Sequence, residues 1–190
     1  MRNRAAPIAL LFALLWLSVG AAQTQPPAAP TDIKLRPHKR QLTLTVDGHS
    51  YLLDVAAQLE AAKLEEATPL FFTRRTDFNY LLATVCGPSK LKPDDHECGA
   101  GTECDLLWVK LTPAWRVADS RAALYESCWQ SSTSEDGYKI DKNILRVEYD
   151  NFLFKHHYRL TYDADQPERG LVIEESALKE PQPALVSPSR

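Results

Sequence analysis

The stretch QLTLTVDGHSYLL, residues 41–53, predicts a β-hairpin. Apolar and polar residues alternate on both sides of Asp47-Gly48, which is the period of a half-buried strand. A two-residue Asp-Gly loop favours a type I′ turn, because both of its residues can adopt positive φ. That turn pairs Leu42 with Leu53 and places the apolar partners on one face. We therefore expect a hairpin that contributes one face to the core.

The segment after the hairpin predicts a helix. Residues 55–67 are rich in Ala, Leu, Glu and Lys and contain neither Gly nor Pro, while Thr68-Pro69 follows them. Asp54 is placed to cap the first turn. Because most of its apolar residues are alanines, this helix is expected to lie close on a sheet.

The chain beyond this segment predicts short strands separated by turn signals. We expect strands at 70–73, 78–86, 105–111, 122–129, 145–149, 158–162 and 171–173. Such spacing favours an antiparallel arrangement over alternating strands and helices. The predicted fold class is mostly β, or α+β by strict count: an antiparallel β-sandwich or open barrel with one short helix packed on it and two disulfides.

The start of the chain predicts export. Arg2 and Arg4 precede an uncharged apolar run at 8–19, and Gly20-Ala21-Ala22 supplies small residues for cleavage. The expected organisation is a signal peptide at 1–22, a flexible tether at 23–30, a single β-rich domain at 31–178 and a disordered tail at 179–190. The expected location is the periplasm or the extracellular medium.

Charge and composition narrow the possible partners. Loss of Arg2 and Arg4 with the signal would change the formal net charge from −3 to −5. An acidic chain without a basic cluster is a poor nucleic-acid binder, because contacts with phosphates supply most non-specific affinity. After cleavage we expect no stable membrane insertion, since no second apolar run approaches the length of a membrane span.

The four cysteines, Cys86, Cys98, Cys104 and Cys128, predict two disulfides in an exported chain. If 78–86, 105–111 and 122–129 are consecutive antiparallel strands, the favoured connectivity is Cys86–Cys104 with Cys98–Cys128. Cys86–Cys98 with Cys104–Cys128 is the main rival, and Cys98–Cys104 with Cys86–Cys128 is the third arrangement. A metal site of His96, Cys98 and Cys104 is less favoured, because zinc-site spacing is absent. No metal or cofactor is expected.

Other polar clusters have simpler structural explanations. His156 and His157 are adjacent on a predicted strand, so they point to opposite faces and cannot easily share one metal. Asp163, Asp165 and Glu168 are typical of an acidic turn that caps its own backbone. No nucleophile motif is present, so no catalytic residue is predicted.

The candidate binding surface consists of Trp115, Trp129 and His96. Tryptophan in a connector is a frequent hot spot for protein or carbohydrate contact. The alternative for Trp115 is that it closes one end of the sheet, because tryptophan is buried on average.

Two functions stay open. The first is an exported, non-catalytic, disulfide-stabilised β domain, similar in class to inhibitors, immunity proteins or adaptors. It would bind an envelope or extracellular protein, a peptide or a cell-wall polymer. The second is an envelope hydrolase with a carboxylate-based or His-based site.

Overall fold

The computed structural model describes residues 32–89, 101–134 and 136–178. The predicted signal peptide, tether and tail lie outside these residues, and so do His96 and Cys98.

The predicted hairpin is present within a three-stranded antiparallel sheet. Its strands are β1 (Ile33–His38), β2 (Gln41–Val46) and β3 (His49–Asp54), in that spatial order. Leu42 pairs with Leu53 as expected. Asp47 and Gly48 have φ of 50° and 83°, as a type I′ turn requires.

The remaining strands form a nine-stranded antiparallel sheet with the order β12-β11-β10-β8-β7-β6-β5-β4, in which β9 pairs with β10. Their bounds are β4 (Glu66–Arg74), β5 (Asn79–Pro88), β6 (Thr102–Leu111), β7 (Val117–Ser127), β8 (Ser132–Thr133), β9 (Tyr138–Asp141), β10 (Ile144–Asn151), β11 (His156–Asp163) and β12 (Val172–Ala177). The mostly β, antiparallel fold class is therefore confirmed.

The core has two compartments, one on each face of β5 and β6. Leu81 and Val85 of β5 pack with the three-stranded sheet. Leu82, between them in sequence, packs on the other face with Val147 of β10 and Leu160 of β11. The large sheet therefore folds back over itself, and β5 and β6 form the middle of three layers. Burial on both faces explains their nearly continuous apolar sequence.

The predicted helix at 55–67 is wrong. Only Ala56–Gln58 form a 3₁₀ turn, and β4 already begins at Glu66. Residues 59–65, here called the strap, run between the two sheets. Their backbone N–H groups bond to other segments: Ala62 donates to Pro88 O at 2.8 Å, Leu64 to Lys39 O at 2.7 Å and Glu65 to Cys86 O at 2.9 Å.

These tertiary hydrogen bonds replace the i to i−4 bonds of a helix, and burial adds to their effect. Leu59, Ala61 and Leu64 are all buried in the compartment beneath the small sheet. Helix propensity differs among ordinary residues by only a few tenths of a kcal/mol, about 0.7 at most, so tertiary packing overrides it. Among the described residues, no helix is long and apolar enough to cross a membrane.

A disulfide joins β5 to β6. Cys86 and Cys104 are direct cross-strand partners, their Cα atoms lie 4.2 Å apart, and their sulfurs are bonded. The predicted order of β5, β6 and β7 brings them together. Cys128 is disulfide-bonded as well. Cys98, the partner predicted for it, lies outside the described residues.

Gly87 allows the strap to lie against β5. A Cβ at this position would overlap the carbonyl oxygen of Lys63 and lie 3.2 Å from the Ala61 Cβ. Replacing Gly87 with Ala should therefore displace the strap and lower the free energy of unfolding by about 3 kcal/mol or more. Urea denaturation followed by circular dichroism measures this change.

The control for this substitution is Gly137→Ala. A Cβ at Gly137 meets nothing within 4 Å, so only its φ of 64° resists the substitution, at a cost of about 1 kcal/mol. An unfolding free energy of Gly87→Ala equal to that of the wild type would contradict the placement of the strap.

Candidate functional site

Three consecutive apolar side chains are exposed in the turn from β10 to β11. Phe152, Leu153 and Phe154 have 53%, 53% and 55% of their surface accessible. The turn is fixed locally, because the Asn151 side-chain carbonyl accepts a hydrogen bond from Phe154 N at 2.9 Å. Lys155 completes it with a φ of 56°. None of the three apolar side chains belongs to either core compartment.

A second turn, 128–131, lies beside the first and carries Trp129, which is 48% exposed. Phe152 N donates to Ser131 O at 3.3 Å, and the Asn151 side-chain amide donates to Gln130 Oε1 at 3.0 Å. We call Trp129, Phe152, Leu153 and Phe154 together the apolar tip. Two turns from different parts of the sequence thus present large apolar groups at one end of the sheet.

A groove of about 610 Å³ borders the tip on the outer face of β10 and β11. Phe152 lines it and also belongs to the apolar tip. Four carboxylates and two permanent cations line the groove, together with His157; these charged residues are Asp136, Asp141, Glu148, Asp150, Lys139 and Arg146. The groove therefore has an excess of negative charge and an aromatic wall at one end.

Ion pairs hold several of these charges in place. Arg159 Nε donates to Glu148 Oε1 at 2.7 Å, and its guanidinium also reaches Glu174 at 3.4 Å. The hydrogen bond and charge of Arg159 lower the pKa of Glu148. A bond from Lys139 at 2.6 Å likewise lowers the pKa of Asp136. Both carboxyls therefore stay ionised well into mildly acidic solution.

The two adjacent histidines have different partners. His157 Nδ1 lies 2.8 Å from Asp150 Oδ1 on the groove side. His156 Nδ1 pairs with Glu175 of β12. Across the strands, Asp150 is the register partner of His157, and His157 is the register partner of Ser176. Cross-strand partners share a face, so Asp150, His157 and Ser176 form a row on the outer face.

The acidic turn after β11 stabilises its own backbone. Asp163 Oδ1 accepts a hydrogen bond from Asp165 N at 2.9 Å, and Asp163 Oδ2 accepts one from the Gln166 amide at 3.2 Å. Within the described parts of the chain, no three His, Cys, Asp or Glu side chains are grouped so that they could hold a metal ion.

The residues of the predicted binding surface lie in different places. Trp115 stacks on Tyr51 with ring centroids 4.6 Å apart and lies 6.1 Å from Phe72, beside the core compartment under the small sheet. Its φ of 62° turns the connector back toward this contact. Trp129 is exposed at the apolar tip, and His96 lies outside the described residues. Trp115 is thus partly buried against aromatic and core residues.

Phe152, Leu153 and Phe154 were not predicted as part of a surface, because only the strands at 145–149 and 158–162 on either side of them were expected. The available signal was three successive apolar residues between two alternating strands. Side chains alternate between faces along the strands on either side, and three successive apolar residues break that alternation, which is typical of a functional surface when they are exposed.

Comparisons with models of known protein families, with curated proteins and with solved structures found no match to this chain.

The two tryptophans should respond differently to truncation. Trp115→Ala removes stacked, half-buried contacts and should lower the free energy of unfolding by about 2 kcal/mol or more. Trp129→Ala removes an exposed side chain and should change it by less than about 0.5 kcal/mol. Urea unfolding curves of both variants test this difference. Equal destabilisation would contradict the separation between a structural Trp115 and a surface Trp129.

Proposed function

We propose that this chain is an exported, non-catalytic binding module that contacts a protein, a peptide or a cell-wall polymer of the envelope through its apolar tip. The observation that carries the proposal is the run of Phe152, Leu153 and Phe154, each more than half exposed, beside Trp129. Export to the periplasm or medium is supported by the charged, apolar and small-residue pattern of residues 1–22 and by the Cys86–Cys104 disulfide.

The exposed apolar area is large for a part of the surface that does not serve folding. Aromatic side chains offer about 200 Å² each, and roughly half of each is accessible here, which gives about 400 Å² for the four residues of the tip. Phe152, Leu153 and Phe154 are consecutive and account for most of this area. The largest apolar patch on a typical soluble monomer is about 300–600 Å² and is often functional. The tip lies outside both core compartments, so its residue types are not required for packing.

The groove beside the tip adds polar specificity. Its carboxylates can accept hydrogen bonds from hydroxyl, amide or ammonium groups, while Phe152 offers an apolar wall. A ligand that carries both an apolar group and such donors would contact both the tip and the groove. Peptides and amino-sugar polymers carry both kinds of group. This combination of an apolar centre and a polar margin is usual at specific interfaces.

A photocrosslinking residue at position 153 tests this proposal. In the natural envelope, the probe at Leu153 should give a defined adduct with a protein, a peptide or a polymer. The same probe at Ile140 of β9, which is 45% exposed, is the matched control and should not give it. Identical adducts from both positions, or no adduct from position 153, would contradict the assignment of the contact surface to the tip.

The second candidate function is an envelope hydrolase, favoured by the row of Asp150, His157 and Ser176. With its proton on Nδ1, His157 donates to Asp150 at 2.8 Å, which leaves Nε2 available as a base. Ser176 follows His157 in the row, on the exposed strand β12. An acid, a base and a hydroxyl in this order are the components of a nucleophilic site, and the groove lies beside them.

A fluorophosphonate probe separates the two functions, because it phosphonylates an activated serine and releases fluoride. We expect the wild-type protein to remain unlabelled, as the non-catalytic function requires. Labelling of the wild type that is lost in both Ser176→Ala and His157→Ala, and kept in Ser132→Ala, would instead establish the hydrolase. Peptide mass spectrometry locates any adduct.

A further inference from the structure

Three of the four residues of the apolar tip lie in the connection beyond the paired part of β10 and β11. The last register pair of these strands is Asn151 with His156, so Phe152, Leu153 and Phe154 follow the end of this ladder. All four residues of this turn, 152–155, are exposed, so their side chains can enter a soft layer without a preformed pocket.

Three polar backbone groups of this turn have partners within the protein. Phe152 N bonds to Ser131 O at 3.3 Å, and Phe154 N bonds to the Asn151 side chain at 2.9 Å. Lys155 O accepts a hydrogen bond from Leu178 N at 2.9 Å. A segment that enters an apolar medium must satisfy its backbone groups internally, because water no longer does so. These bonds therefore reduce the cost of removing the turn from water.

The residue types also fit a bilayer. Phe and Leu are among the side chains that insert most favourably into membranes, and Trp concentrates at the interface. Lys155 follows the triplet directly, and a lysine at this position can extend its ammonium group toward lipid headgroups. Leu, in contrast, is under-represented among the hot spots of protein interfaces.

The size of the tip argues against a second copy of the chain as its occupant. Stable protein interfaces bury about 800 Å² on each partner. The tip offers about half of this area, from four aromatic or aliphatic side chains of about 100 Å² accessible area each. A bilayer sets no such minimum, since a few apolar side chains are enough for reversible attachment.

We propose that the apolar tip inserts into the interfacial layer of a lipid bilayer and holds the protein there reversibly. This inference goes beyond the proposed function, because it assigns a lipid bilayer, and not a protein, a peptide or a polymer, to the same surface. The contact is shallow and differs from stable membrane insertion. Because the groove next to the tip has more carboxylates than permanent cations, attachment depends on apolar insertion and not on attraction to anionic lipids.

The experiment is co-sedimentation of the protein, recovered after export, with phosphatidylcholine vesicles. The wild type should bind. The partition coefficient of the triple variant F152S, L153S and F154S should be at least tenfold lower. The matched control, V172S with I173S, removes two exposed apolar side chains of β12 and should stay within twofold of the wild type. Circular dichroism and the thermal midpoint verify that all three proteins are folded.

Salt and lipid composition supply a second readout. Binding should persist at high ionic strength and should not increase when phosphatidylglycerol replaces part of the phosphatidylcholine. Wild-type binding that is absent, equal in the triple variant, or dependent on anionic lipid would overturn the inference. Sedimentation equilibrium that shows a dimer lost only in the triple variant would also overturn it, in favour of a second copy.

Failure of this inference can be distinguished from failure of the proposed function. If vesicles do not bind while the probe at position 153 still forms an adduct with a protein or a polymer, the bilayer is the wrong partner and the contact surface is correct. If neither vesicles nor the probe give a signal, both proposals fail.

Discussion

The burial of β5 and β6 on both faces is the constraint on which the rest of this structure depends. Each strand must present apolar groups to the three-stranded sheet and, one residue later, to β10 and β11. Side-chain alternation in β5 and β6 therefore does not produce one solvent-exposed face and one buried face. The polar surface of the protein comes from the outer layers. The middle layer is covered on one side by the three-stranded sheet. On its other side it is covered by β10, β11 and β12, whose outer face is charged.

The same constraint explains which elements could be predicted from the sequence. The hairpin at 41–53 was correct in register and turn type, because its alternation and its Asp-Gly loop are local signals. The strap was not predictable, since its hydrogen-bond partners Lys39, Cys86 and Pro88 belong to other segments. Strand β1 was missed because Pro37 is a poor strand former, yet an edge strand can accommodate it.

The candidate site was only partly accessible from the sequence for a similar reason. Trp129 was selected as a surface residue and lies at the tip, whereas Trp115 lies against Tyr51 in the packed part of the molecule. The exposure of a side chain depends on which other segments pack against it, and the sequence does not show which segments these are. The triplet at 152–154 is the exception, because three successive apolar residues break the alternation of the strands on either side.

The single register pair at the base of the tip, Asn151 with His156, has a consequence for how this protein can change over evolutionary time. Residues 152–155 contribute nothing to either core compartment, so exchanging them leaves the packing that sustains the fold untouched. Selection can therefore act on this turn and on the scaffold separately. Substitutions in these four residues can change this end of the molecular surface while every strand keeps its partners.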